Sequence, residues 1–336
     1  DGTWTQDGPE SGTWLPGKGK SSLTYKVRIS HPRANDTFDA RMTPDWALLR
    51  GDDLVPSARL SKDDKVELVA RLQFELPKGW NGIETGWPKI GENKFRIDNP
   101  SRQFDRPTGW ILAGKIGSRR AQLGDTDVTV AAPVGEGMRR MDILTLLTFV
   151  WPEAQAVFPR DPAKLLIVGA NDPMWRGGLS APNSIFFHAD RPLVSENGTS
   201  SLVHELVHVF SRIRDTDKSD WISEGLAEYY AIELVRRAGG MSEDRYQAIR
   251  KKLMGWSKKV DSLRTDDSTG PVTARAVLLL QELDREIRKN TDNQRSLDDV
   301  TRGLMRLDKA STKDFIEISE NVMGRGSEVL DSKLLR

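Results

Sequence analysis

Up to about residue 125, apolar residues alternate with polar ones in short runs broken by Gly, Pro and Asn. "LTYKVRIS" (23–30), "KVELVARLQFEL" (65–76), "TGWILAGKIG" (108–117) and "DVTVAAPVG" (127–135) follow this period of two, which predicts strands of an antiparallel sheet or sandwich. After about residue 136 the spacing lengthens to three and four. "MRRMDILTLLTFV" predicts a helix, "KLLIVGAND" (164–172) and "SIFFHAD" (184–190) predict short buried strands, and helices are expected over 200–213, 221–238, 242–258 and 273–290. In the last of these, Ala276, Leu280, Leu283 and Ile287 form one stripe. Strands followed by helices predict an α+β chain. The first twenty residues, "DGTWTQDGPESGTWLPGKGK", are rich in Gly, Pro and polar residues and are expected to form a flexible arm.

Composition narrows the function. The chain has 336 residues, which predicts two or three domains. Its 50 basic and 49 acidic residues nearly cancel, so charge offers no reason to expect nucleic acid or a membrane surface as partner. No apolar run reaches the length of a membrane span. Cysteine is absent, which removes disulfides, cysteine nucleophiles and thiolate metal ligands. The first residue is Asp1 rather than Met, which raises the expectation of a removed leader and a secreted or periplasmic location.

Two of the four histidines fall in "TSSLVHELVHVF" (199–210). Thr199, Ser200 and Ser201 supply cap oxygens for a helix start. On that helix His204 and His208 stand one turn apart on one face, close enough to share a metal ion. The residues around them are apolar, and two buried imidazoles without partners would be costly. Glu205, beside the first histidine, can reach a water on the metal: this is the HExxH arrangement, with the glutamate as general base. The short pattern also occurs by accident on solvated helices, so context decides. With no cysteine, and only His31 and His188 left, the third ligand zinc requires is expected to be acidic. "WISEGLAEYY" (221–230) supplies Glu224, and Ser211 and Arg214 exclude the alternative spacing that needs Gly and a third His there. Glu228, one turn after Glu224, suits either a partner behind a ligand or a solvent-facing position. His188 is expected to be a partly buried strand histidine rather than a ligand.

The pair of segments "HELVHVFSRIR…WISEGLAEYY" resembles the gluzincin metallopeptidases, in particular the glycyl aminopeptidase family, a relative of the aminopeptidase N family. "LLLQELDREIRKNTDNQRSLDDV" (278–300) is similar to that family's helix after the active site, and the likeness covers roughly 164–323. The resemblance implies one zinc ion held by His204, His208 and Glu224, Glu205 as base, and hydrolysis of peptide bonds in a peptide or protein substrate. It also implies a β-sandwich-like N-terminal domain (21–125), a thermolysin-like α/β catalytic domain (126–260) and a helical C-terminal part (261–336).

Three departures qualify the resemblance. The family's oxyanion-donating tyrosine corresponds to Thr273 in "TARAV", leaving Tyr229, Tyr230 or Tyr246 as candidate substitutes. "GGLSAPN" (177–183) matches the family's substrate-binding strand at Gly177, Gly178 and Leu179, but Ser180 stands where a glutamate would hold a free amine. This opens internal as well as N-terminal cleavage, and the strand at 184–190 is a candidate for pairing with an extended substrate. The PDZ domain common in the family is expected to be missing, because only a short tail ending "SEVLDSKLLR" remains. A rival reading keeps the zinc but not the turnover, making the chain a peptide-binding protein. "RRAGG" and "RKKLMGWSKK" are expected to be basic surface patches, and "NGT" (197–199) fits a glycosylation sequon.

Overall fold

The computed structural model describes residues 2–61, 65, 68–97, 106–196 and 198–336, so Asn197 of the sequon lies outside the described residues. In chain order the strands and helices are β1 (Gly2–Gly8), β2 (Ser11–Pro16), β3 (His31–Pro32), β4 (Phe38–Met42), β5 (Trp46–Arg50), β6 (Ala70–Gln73), β7 (Gly82–Thr85), β8 (Lys89–Gly91), β9 (Lys94–Ile97), β10 (Trp110–Gly114), β11 (Ile116–Leu123), β12 (Thr126–Pro133), α1 (Arg140–Val157), β13 (Lys164–Val168), β14 (Gly178–Ala181), β15 (Ser184–Phe187), α2 (Ser201–Ser211), α3 (Trp221–Arg237), α4 (Glu243–Trp256), α5 (Pro271–Asn290), α6 (Leu297–Leu304) and α7 (Thr312–Met323). No helix among the described residues is long and apolar enough to cross a membrane.

Alternation builds the sheets as layers. β3-β4-β5-β10-β7 form an antiparallel sheet of five strands and β6-β9-β8 one of three. Leu48 and Leu112 of the larger sheet pack with Ala131, Leu166, Val168 and Phe186. Their neighbours Ala47, Leu49, Ile111 and Ala113 pack instead with Phe95 and Ile97 of the smaller sheet. A mixed sheet, β11-β12-β13-β15-β14, lies beyond. Its three middle strands are parallel and its two outer strands antiparallel to them. Leu165 and Ile167 on its other face join the helices in one core that also holds residues of α5, α6 and α7. The molecule is a mixed α/β protein.

Helix expectations match within a few residues, because caps mark their ends. Ser200, Ser242, Ser296 and Ser311 each accept a backbone N–H at the start of α2, α4, α6 and α7. One β-region expectation needs correction, the strand at 23–30. Residues 2–16, expected as a flexible arm, form a hairpin in which Trp4 faces Trp14, since Thr and Trp alternate across a Gly-Pro turn. "LTYKVRIS" forms no strand: Leu23, Tyr25 and Val27 are exposed, with no partner edge to cover them. The expected boundary between 125 and 126 falls in the tight turn joining β11 to β12 of one sheet.

Candidate metal centre

α2 is apolar on every side but one. Leu202, Val203, Leu206 and Val207 are buried, while His204, Glu205 and His208 form a stripe that is only partly covered. Ser200 caps the start through its Oγ, 3.3 Å from the Val203 N–H, and the helix ends at Arg212 in the left-handed region. The loop after it returns the chain as α3, which places Glu224 and Glu228, one turn apart, against that stripe.

The three predicted ligands converge. His204 Nε2 is 3.2 Å from His208 Nε2, and Glu224 places Oε2 3.3 Å from the first nitrogen and Oε1 3.3 Å from the second. Zinc bonds of 2.0–2.2 Å at tetrahedral angles require ligand atoms about 3.3 Å apart, so the donor set fits a zinc ion. The donor atoms lie within 4.8 Å of one another, and theirs is the one such group of His, Asp and Glu among the described residues. Glu228 settles its role: its Oε2 lies 3.0 Å from His204 Nδ1. With the proton on Nδ1 donated to that carboxylate, the Nε2 lone pair faces the centre.

The charges favour a cation. Burial alone would lower the His204 imidazole, but hydrogen bonds to Glu224 and Glu228 outweigh it and push the pKa up to about 10. Burial likewise opposes the charge on Glu224, yet the two imidazoles hold its carboxyl well below the usual range. Nearby, burial pushes Asp215 up to about 7, despite the hydroxyl that Ser223 donates to it.

Glu205 points to the sheet. Its Oε2 accepts the Ser180 backbone N–H at 2.8 Å, which ties Glu205 to the outermost strand, β14. Gly178 permits this approach, since a Cβ there would stand 3.2 Å from Glu205 Cγ. At Gly177 a Cβ would overlap the Trp175 ring, and the Leu179 carbonyl accepts from Trp110 Nε1 at 2.9 Å. Gly177, Gly178, Leu179 and Ser180 therefore lie together beside Glu205. The strand expected to meet a substrate does not: β15 is hydrogen-bonded to β13 on one side and β14 on the other, so the free edge belongs to β14.

The candidate donor tyrosines turn elsewhere. Tyr230 is fully buried, and its hydroxyl meets Asp298 and Thr301, each at 2.9 Å. Tyr229 is buried edge-to-face against Tyr230, in the field of Asp284 and Glu233. Tyr246 bonds to Glu233 beneath the Arg236 guanidinium. The helical period carries the Tyr229 and Tyr230 rings away from the Glu224–Glu228 face, and Tyr246 stands on α4. The Thr273 hydroxyl donates to the Ser268 carbonyl at the start of α5. His188 is buried in the sheet, its Nε2 3.4 Å from Asp172, and takes no part in the centre. Sequence reasoning missed the Ser180 amide, because any residue there would supply the same N–H.

No family model matches the sequence, and no curated relative matches it. Solved structures do match in fold. An aminopeptidase N family protein from Idiomarina loihiensis superposes with a TM-score of 0.60 at 16% identity, over 87% of this chain and 56% of that one. An M1 zinc metallopeptidase from Deinococcus radiodurans gives 0.60 at 14% identity, over 99% and 80%. Leukotriene A4 hydrolase from Saccharomyces cerevisiae gives 0.57 at 16% identity, over 98% and 57%. The chain shares the fold of these structures while spanning little more than half the length of the first and third.

Proposed function

We propose that the chain is a zinc-dependent peptidase whose single metal ion is held by His204, His208 and Glu224. The observation that carries this reading is the convergence of His204 Nε2, His208 Nε2 and the two Glu224 oxygens, 3.2 Å between the nitrogens and 3.3 Å from each nitrogen to one oxygen, beside a glutamate held by a backbone amide. Its support from the comparisons is the shared fold with M1 zinc metallopeptidases. The glycyl aminopeptidase likeness and a thermolysin-like catalytic unit belong to the same proposal.

A zinc ion held by His204, His208 and Glu224 would supply Lewis acidity and make water a stronger nucleophile near neutral pH. Glu205 takes a proton from the attacking water and returns it to the leaving nitrogen, so the peptide bond breaks without a covalent intermediate on the protein. The Ser180 N–H keeps the Glu205 carboxylate oriented for both transfers. Glu228 holds the His204 ring and keeps the proton on Nδ1. An extended peptide would lie along the free edge of β14.

A second reading, a zinc-holding peptide binder with little turnover, rests on the Thr273 hydroxyl being committed to Ser268. One experiment separates the two: incubate the zinc-loaded chain with a complex peptide mixture and read new termini by mass spectrometry, with Glu205→Gln as control. We expect new termini that the control lacks, with turnover down about 10²–10⁴-fold in Glu205→Gln and zinc retained. No new termini from either protein would leave the binder. Appreciable cutting by Glu205→Gln would remove Glu205 as base.

A further inference from the structure

Across the whole chain 50 basic and 49 acidic residues nearly cancel, but the cancellation is not uniform. Residues 245–260, "RYQAIRKKLMGWSKKV", carry Arg245, Arg250, Lys251, Lys252, Lys258 and Lys259 and no acidic residue. The stretch covers most of α4 and the turn after it. Its apolar residues divide. Ile249 and Leu253 turn into the core, whereas Met254 and Trp256 are 54% and 60% exposed, and the four lysines are exposed beside them.

Neighbouring groups account for the arginines but not for the lysines. Arg250 meets Glu282 at 3.9 Å, and Arg245 donates to the Glu196 carbonyl. Lys251, Lys258 and Lys259 form no ion pair among the described residues. Like charges crowded at one helix end repel, and two large apolar side chains left in water forgo burial. A partner that relieves both costs is anionic at its surface and apolar just beneath. An anionic lipid bilayer has that profile: its headgroups meet lysines, and its interface takes up Trp and Met. A nucleic acid strand would call for several stacking rings. Here Trp256 is the one exposed aromatic of the stretch, since Tyr246 lies beneath the Arg236 guanidinium. An acidic peptide would neutralise the lysines but leave Met254 and Trp256 in water.

We propose that the end of α4 is a docking surface for an anionic lipid bilayer, with the four lysines on the headgroups and with Met254 and Trp256 entering the interface. None of His204, Glu205, His208, Glu224 or β14 belongs to this surface, so docking stands apart from the peptidase reading. The near-neutral charge of the whole chain conceals it, because attraction to a bilayer acts within about 10 Å and so depends on the local face.

The test uses the full chain and vesicles pelleted by centrifugation, one set of phosphatidylcholine alone and one of equal parts phosphatidylcholine and phosphatidylglycerol. We expect co-sedimentation with the mixed vesicles only, falling as salt is raised. Lys251→Gln, Lys258→Gln and Lys259→Gln together should weaken it about 10²-fold, since each lysine near an anionic surface supplies about fivefold. The same three positions changed to Arg should retain it at the wild-type level. Met254→Ser with Trp256→Ser should weaken it about tenfold at unchanged charge. With brominated acyl chains in the mixed vesicles, the quenching of tryptophan fluorescence seen in the wild type should fall in Trp256→Phe. Equal binding to phosphatidylcholine alone, no binding to either set, or binding indifferent to the Gln or Ser variants would each overturn the proposal, as would quenching unchanged in Trp256→Phe. A single-stranded oligonucleotide bound more tightly than the mixed vesicles, and lost in the same Gln variant, would overturn it in favour of nucleic acid.

Discussion

On the α2–α3 side of the centre, four side chains meet at distances of 3.0, 3.2, 3.3 and 3.3 Å. The two segments where the family resemblance places substrate-handling groups, β14 and the start of α5, offer instead the Ser180 amide, already given to Glu205, and the Thr273 hydroxyl, already given to Ser268. The metal-holding wall is complete down to the partner behind His204. At the two positions where the resemblance places a carboxylate for a free amine and a phenol for an oxyanion, this chain has Ser180 and Thr273. These two tasks are physically separable: ligand geometry depends on two packed helices, whereas substrate handling depends on individual side chains reaching in from other elements.

The comparison can be broken most forcefully at Thr273. If the missing phenol limits the rate, Thr273→Tyr should raise kcat by about 10²-fold, the magnitude one oxyanion donor supplies. An unchanged kcat at normal zinc content would mean another group already serves, and the two walls would be less unequal than they look.

Next in size is Glu228→Gln, which should weaken zinc affinity by about 10–100-fold, as loss of a partner behind a histidine ligand does. The pH dependence carries its own sign. Without a bound cation, His204 keeps its proton up to about pH 10, so zinc must displace that proton. Apparent zinc affinity should therefore climb about tenfold per pH unit through neutrality. In Glu228→Gln the climb should level off at lower pH, because one of the carboxylates holding the proton is gone. A competition titration against a chelator, run across pH, measures both. A flat profile in the wild type would contradict the charge arrangement described for His204.

The smallest effect tests the contact between the walls. Gly178→Ala places a methyl 3.2 Å from Glu205 Cγ, tighter than ordinary contact, and should cost a few-fold in kcat while leaving zinc bound. Loss of zinc in that variant would show that β14 supports the metal side too.

Much of the metal wall was legible because it is local. His204 and His208 share a face through the helical period alone, and Ser200 marks where that helix begins. Glu224 was reachable because only one loop separates it from α2. The tyrosines misled for the same reason that the histidines did not. Tyr229 and Tyr230 follow Glu228 directly, and consecutive helix positions point about 100° apart, so proximity in sequence turned them into the core beside Asp298 and Thr301. In the β region, alternation predicted strands wherever it occurred, but a strand also needs an edge to pair with. "LTYKVRIS" has the pattern without a partner, and residues 2–16 found one in each other.

The sequence by itself placed His204, Glu205 and His208 on one helix and Glu224 on the next, because these positions follow from caps and from a period that repeats every few residues. Only the tertiary structure decided that Glu228 stands behind His204, that the Ser180 amide holds Glu205, and that β14 rather than β15 is the free edge. Each of those depends on residues far apart in the chain meeting through sheet order and helix packing, which no local pattern encodes.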